Sequence, residues 1–260
     1  MEKILNALIV GGSSGIGEAI AQKLDIYNVI NVSRTPCLTE GVINFLGDVS
    51  KKEDRDRIVG EIKAAVDKLD LFIYSAGSSM SAPFEYTREE NYRYLFEVNF
   101  FGCVELLKGL LPLLKISKGQ VIFVSSIASK VPIPFDPFYD ASKAAMNALS
   151  TELNVELRPY GVKVLSALVG GTKTGFSFKR LVYEQDEAKE YYDDSSCAAS
   201  TLERIEQSGG DVNAVADKII ASIGKEGTKA IGFVAKLSSF FADVICDKSL
   251  IFILGKLFCR

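Results

Sequence analysis

The chain has 260 residues, 30 Lys and Arg against 33 Asp and Glu for a net charge of −3, and no histidine. The lack of histidine excludes a Ser-His-Asp triad, a histidine general base and any histidine metal ligand, and a slightly acidic chain is poorly suited to coating nucleic acid. Cys37, Cys103, Cys197, Cys246 and Cys259 are scattered without metal-ligand spacing, so free thiols in a reducing cytoplasm are expected, and no metal site.

The N-terminus runs directly into an apolar segment, with no signal-peptide pattern, and no apolar run is long enough to span a bilayer. A cytoplasmic protein is expected. Residues 4–10 form a continuous apolar run broken only by Asn6 and stopped by glycines, the pattern of a buried parallel strand. Residues 18–24 carry helical spacing, 29–32 and 42–45 read as strands, and 54–66 is an amphipathic helix with Ile58, Val59, Ile62 and Val66 on one face. Strand 71–74, a long helical stretch over 88–114 and strand 121–124 follow. Pro132, Pro134 and Pro137 fill the connection to a helix starting near Phe138 and ending before Pro159. Strands are expected at 162–168 and 231–234. Strands alternating with helices predict an α/β fold. The expected architecture is a single-domain, Rossmann-type, doubly wound parallel β-sheet of about seven strands over 1–260, with helices on both faces. The less regular, acid-rich segment 175–210 reads as an insertion on that domain.

Gly11, Ser13, Ser14, Gly15, Ile16 and Gly17 form a G-x-x-x-G-x-G loop between the first strand and the first helix. Backbone N–H groups and the helix dipole there face an incoming phosphate, and the glycines allow a tight turn and close approach. The next strand ends Asn31-Val32-Ser33-Arg34. An acidic residue at its end would bond the adenosine ribose. Arg34 instead suits a 2′-phosphate, to which Ser33 can add a hydroxyl, and this favours NADP(H) over NAD(H). Asp48 has two readings, contact with the adenine amino group or a cap for a helix beginning near Ser50.

Tyr139 and Lys143 are i and i+4 on one helix and share a face. An ammonium beside a phenol is expected to lower the Tyr139 pKa toward neutrality, so that Tyr139 exchanges a proton with a carbonyl or alcohol oxygen. Lys143 can also hold the nicotinamide ribose, and Ser126 can orient the substrate oxygen. Asn99, polar among apolar neighbours, can bend its helix and hold a water relaying protons to Lys143. A lone Tyr-x-x-x-Lys is a common surface pair, and a lone buried Asn is usually a satisfied core amide. Their joint order behind a glycine loop is what indicates hydride transfer.

Together these pieces resemble the classical short-chain dehydrogenases/reductases, from residue 4 to about 174 and more loosely beyond. The resemblance rests on Gly11-x-x-x-Gly15-Ile16-Gly17, Asp48, Ala76-Gly77, Asn99, Ser126, Tyr139-x-x-x-Lys143 and Gly170-x-x-x-Thr174, with thirteen residues from Ser126 to Tyr139. It implies Tyr139 as acid/base, Lys143 lowering its pKa and binding ribose, Ser126 orienting substrate and Asn99 supporting a proton relay. It further implies cofactor contacts at Asp48, Val49, Ser75, Ala76, Gly77, Gly170, Thr172 and Thr174, and Ser33-Arg34 matches the NADPH-preferring branch. The chain departs from the family pattern at Val10 for threonine, at Tyr74-Ser75 for Asn-Asn, and at Val169 for proline. These positions touch scaffold support and leave the proton-transfer residues intact.

Residues 175–210 fall where the family places its substrate lid. Phe176, Phe178, Tyr183, Tyr191 and Tyr192 there suit an uncharged or moderately apolar carbonyl or alcohol compound. The C-terminal extension, 235–260, is strongly apolar and carries Lys236, Lys248, Lys256 and Arg260. It reads either as core or subunit interface, or as a peripheral membrane contact with lysines at the headgroups, which suits a lipid-like substrate. Ala141, Ala144, Ala145 and Ala148 leave room for another helix against the Tyr139 helix. The family commonly pairs subunits there, which implies a homodimer or homotetramer. The expected function is NADPH-dependent reduction of a ketone or aldehyde. The alternatives are a 3-oxoacyl or steroid/retinoid-type lipid reductase and a catalytically silent NADP(H)-binding sensor or scaffold.

Overall fold

The structure is a computed structural model that describes residues 5–176, 181–182 and 189–258. In chain order its elements are β1 (Leu5–Val10), α1 (Gly15–Ala21), β2 (Tyr27–Ser33), β3 (Ile43–Leu46), α2 (Lys52–Ala65), β4 (Leu71–Tyr74) and β5 (Met80–Ser81). Next come α3 (Glu89–Phe96), a π-helical turn (Glu97–Phe101), α4 (Gly102–Ser117), β6 (Gln120–Ser126), α5 (Pro137–Glu156), β7 (Lys163–Val169) and β8 (Leu181–Val182). The chain closes with α6 (Tyr192–Gln207), α7 (Val212–Ile220), β9 (Gly227–Ile231), α8 (Phe233–Val244) and α9 (Asp247–Phe258).

Seven strands form one parallel sheet in the order β3-β2-β1-β4-β6-β7-β9, and β5 pairs with β8 apart from it. The chain leaves β1 toward β2 on one side and returns to β4 on the other, so the order reverses beside β1. That reversal opens a crevice at the carboxyl ends of the strands, where ligands of such sheets bind. The apolar run of β1 is explained by two-sided burial. Leu8 and Val10 join Ile58, Ile62 and Leu106 on one face, while Ala7 and Ile9 join Ile20, Val215 and Ile219 on the other. Asn6 sits at the entry end, where its amide N–H donates to Asp70 Oδ2 at 2.8 Å and its side chain donates to the Lys68 carbonyl.

The structure moves three expected elements. The first helix begins at Gly15 and not at 18, which puts the glycine loop at its N-terminus. The long helical stretch is two α-helices joined by the π-helical turn that carries Asn99. The last strand is Gly227–Ile231, because Gly232 turns with φ +93° and Phe233 already starts α8. Among the described residues no helix is long and apolar enough to cross a membrane.

Candidate active site

Four strand ends meet at the crevice: β1 with the glycine loop, β4 with Ser75–Gly77, β6 with Ser126, and β7 with the segment through Thr174. At Gly11 the φ is +88°, and a Cβ there would lie 2.6 Å from Ala76 N. At Gly17 a Cβ would lie 2.1 Å from Gly11 O. Neither position admits a side chain, so the backbone folds onto itself and leaves a cradle for a phosphate at the start of α1. A methyl on Gly15 would reach Thr174 Cγ2 at 3.6 Å, so the β7 segment overhangs the loop. There Thr172 Oγ1 donates to Gly170 O at 3.0 Å, and Thr174 Oγ1 accepts the Phe176 N–H at 3.3 Å.

The loop is anchored by a residue to which the sequence reading assigned no role. Asn31 is fully buried, and its Oδ1 accepts the Gly12 N–H at 2.9 Å while its Nδ2 donates to Asn44 Oδ1 at 2.8 Å. The signal was a polar side chain in the middle of a strand whose neighbours are apolar. Asn31 Oδ1 also takes the Ser33 hydroxyl at 2.7 Å, and Ser33 is buried. Ser33 therefore braces the loop, its hydroxyl proton committed to Asn31. The exposed hydroxyl at this strand end is Thr35, which donates to Ser13 Oγ at 3.1 Å beside exposed Arg34, itself donating to Tyr94 OH at 3.2 Å. Asp48 does not cap α2, whose N-cap is Lys51; its Oδ1 accepts the Ser50 N–H at 3.0 Å and the Ser50 hydroxyl at 2.8 Å and so closes the turn that precedes the helix. Val49 is buried, and its carbonyl accepts from Arg55, which also pairs with Glu97 at 2.9 Å.

Asn99 is fully buried in the π-helical turn. It accepts the Ser78 N–H at 2.7 Å and donates to Ser78 O and to Ser142 Oγ, each at 3.0 Å. Ser142 in turn donates to the Tyr139 carbonyl at 2.7 Å, so Asn99 braces the first turn of α5. Gly77 backs onto the same place: a Cβ there would lie 3.5 Å from Asn99 Oδ1 and 3.8 Å from Lys143 Nζ. Ser126 caps the turn after β6 by accepting the Ala128 N–H, and its hydroxyl lies near enough to the Tyr139 phenol to act on its ionisation. Thus Ser126, Tyr139, Lys143 and Asn99 converge at one end of the crevice.

The electrostatics reverse one expectation. Burial raises the Tyr139 phenol above its ordinary value, the Ser126 hydroxyl opposes this, and Asp136, Asp140 and Glu206 raise it further. The Lys143 ammonium lies 5.6 Å from the centre of the Tyr139 ring, donates to Val124 O at 3.4 Å, and is itself lowered by burial to about 8. Two buried groups each resist charge, and here desolvation outweighs attraction. The phenol keeps its proton.

Aromatic rings line the mouth. Tyr139 and Phe176 sit 6.3 Å apart, Phe138 stacks on Tyr92 at 4.7 Å and on Phe84 at 5.5 Å, and Tyr191 meets Tyr86 and Phe135. Phe178, Tyr183 and the Tyr192 side chain lie outside the described residues.

The family profile for short chain dehydrogenases matches residues 5–181. The chain belongs to this family. It is 33% identical over 207 residues to the 3-ketodihydrosphingosine reductase of Bacteroides thetaiotaomicron, covering 78% of this chain and 77% of the relative. It is 31% identical over 187 residues to the NADPH-dependent 1-acyldihydroxyacetone phosphate reductase of Saccharomyces cerevisiae, covering 67% of this chain and 63% of the relative. The solved structure of a short-chain dehydrogenase from Streptomyces avermitilis superposes with a TM-score of 0.82 at 25% identity, over 98% of this chain and 97% of the other. This short-chain dehydrogenase is an NAD(P)-dependent oxidoreductase.

Its unusual residues do not open the scaffold. Val10 pairs with Tyr74 across β1 and β4, and the Ser75 N–H donates to Val10 O at 2.8 Å, so backbone bonds hold the two strands. The buried Tyr74 phenol donates to Val98 O at 2.5 Å, directly beneath the turn that presents Asn99.

One buried carboxyl in this short-chain dehydrogenase sets a pH dependence. Burial pushes Asp140 up to about 7, opposed by the Ile133 N–H it accepts at 2.6 Å, and its Oδ1 has no hydrogen-bond partner. Its folded-state pKa exceeds the unfolded value, so its contribution is fully present near pH 4 and is lost as pH rises toward 7. Asp140→Asn is expected to remove that slope, worth at most about 4 kcal/mol. Urea midpoints of wild type and variant, compared at low and neutral pH, check it: a difference that does not change with pH contradicts the assignment.

Proposed function

We propose that this chain is an NADPH-dependent reductase of a ketone or aldehyde carried on an apolar, lipid-like substrate. The observation carrying the reading is the Tyr139 phenol, held protonated by burial beside the Ser126 hydroxyl and beneath an aromatic mouth, with Lys143 behind it. The glycine cradle and the overhanging Thr174 fit a dinucleotide pyrophosphate, and Gly77, beside Asn99 and Lys143, fits the nicotinamide ribose. When bound, the reduced nicotinamide supplies hydride to the carbonyl carbon. Ser126 and Tyr139 hydrogen-bond the carbonyl oxygen. As negative charge develops there, Tyr139 gives up its proton, and the Lys143 ammonium stabilises the phenolate left behind. Asn99, through Ser142, keeps the start of α5 and hence the phenol in register.

NADPH is favoured by Arg34, Thr35 and Ser13, which together offer a cation and two hydroxyls to a 2′-phosphate at the end of β2. The lipid-like class is supported by the aromatic wall and by relatives named for reducing a ketodihydrosphingosine and an acyldihydroxyacetone phosphate. Calorimetric titration with NADPH and NADH tests the cofactor. Wild type should bind NADPH at least about tenfold more tightly, and Arg34→Asp should reverse the order. Folded protein that binds neither nucleotide would end the reading.

A further inference from the structure

The amphipathic helix α8 is packed inside out. Phe233, Val234, Leu237, Phe240, Phe241 and Val244 recur at i, i+1, i+4, i+7, i+8 and i+11, a single apolar face, and each is 45% to 78% exposed. The side turned to the core is Ala235, whose Cβ lies within 3.6 Å of a Cβ built on Gly170. Helix α9 repeats the pattern: Leu254 and Phe258 are buried, while Ile251, Phe252, Ile253 and Leu257 are exposed. So many large exposed apolar side chains on two successive helices are uncommon and mark a contact surface.

Its charge says what the contact is. Residues 225–260 hold Lys225, Lys229, Lys236, Lys248, Lys256 and Arg260 against Glu226, Asp243 and Asp247, in a chain whose net charge is −3. Of these acids, Asp243 is already paired with Lys130 at 2.9 Å. Lys225 and Lys236 lie close enough to Lys229 to lower its pKa, after burial, so like charges crowd the base of α8. Lys256 folds its ammonium over the Phe252 ring at 4.5 Å, a stem that follows the apolar face with its charge at the edge. Apolar rings inside a lysine rim match the acyl and headgroup layers of an anionic bilayer. An isologous contact with a second copy would instead bring that rim against itself.

We propose that α8 and α9 form an interfacial surface that docks this enzyme on anionic membranes. The surface adjoins the active-site mouth. Lys130, four residues after Ser126, ties to α8 through Asp243, and Leu254 and Phe258 pack with Val131, Ile133 and Phe135 of the loop leading to Tyr139. A substrate leaving the bilayer would meet that loop first. None of the docking residues lines the glycine cradle, so docking stands or falls separately from the cofactor reading.

The test is vesicle flotation of the full chain, with phosphatidylcholine alone and with about one third phosphatidylglycerol. Wild type should float with the anionic vesicles, poorly with neutral ones, and less at about half-molar salt. Phe240→Glu combined with Phe252→Glu should reduce flotation at least about tenfold, and Lys236→Glu with Lys256→Glu should remove the preference for anionic lipid. Both pairs are exposed, and unchanged circular dichroism and NADPH titration verify the fold and keep the two proposals distinguishable. Wild type that stays unbound, or the Phe variant floating as well as wild type, overturns the proposal. So does a wild-type dimer without lipid affinity that the Phe substitutions split, which would assign the face to a second copy.

Discussion

Tyr139→Phe is expected to lower carbonyl reduction by about 10³-fold while leaving most of the cofactor affinity in place. The substitution removes one oxygen and keeps the ring, so the packing against Phe176 at 6.3 Å survives. What is lost is the proton that must reach the substrate oxygen as hydride arrives. The Ser126 hydroxyl remains at the site and can still hydrogen-bond the substrate, but it has no path that disposes of its own proton. The loss should therefore appear in kcat more than in KM, the signature of an interaction made in the transition state. Steady-state kinetics on an apolar ketone, with NADPH titration of the same variant, measure both halves. A variant within tenfold of wild type in kcat would show that Tyr139 is not the proton donor.

The sequence discloses the fold well, because β1, β4 and β6 are buried on both faces and read as apolar runs, interrupted in β1 only by Asn6. Ser126 ends β6 and Tyr139 lies in the first turn of α5, and those boundaries are visible in the sequence; the π-helical turn that carries Asn99 is not, because it lies inside what reads as one long helix. Side-chain direction at those boundaries was less visible. Ser33 and Thr35 alternate along the chain, and which hydroxyl faces the cradle depends on Asn31, whose partner Asn44 is on the neighbouring strand. The protonated state of Tyr139 was also hidden. The i, i+4 spacing places an ammonium beside the ring, but spacing carries no measure of desolvation, and desolvation dominates both groups. Helix α8 shows the opposite limit. Its apolar periodicity is plain, yet periodicity alone does not say whether a face turns inward or outward. The answer lies in Ala235, the small residue that fits against the end of β7 beside Gly170 and so sends the aromatic face out.

Lys143→Met should lower kcat/KM about 10²-fold or more and at the same time stabilise the fold. Lys143 is buried, donates only a long hydrogen bond to Val124 O at 3.4 Å, and has no ion pair among the described residues. A buried ammonium with so little compensation costs stability, and a thioether of similar length fills the same space without that cost. A residue kept at the expense of stability is kept for what it does. The pH profile separates function from packing. Burial lowers Lys143 to about 8, so wild-type kcat/KM should fall with a slope of one proton as pH rises through that value, when the ammonium behind Tyr139 is lost. The Met variant should be slower at every pH and lack that limb. Lys143→Arg, whose charge does not titrate in this range, should also lack it, though the bulkier head will slow the reaction by displacing Tyr139. An alkaline limb near pH 8 that survives in both variants would belong to another group, and Lys143 would then be a structural residue of α5. An increase in urea midpoint for Lys143→Met, together with the loss of rate, is the combination that a phenolate-stabilising lysine requires and a packing lysine does not produce.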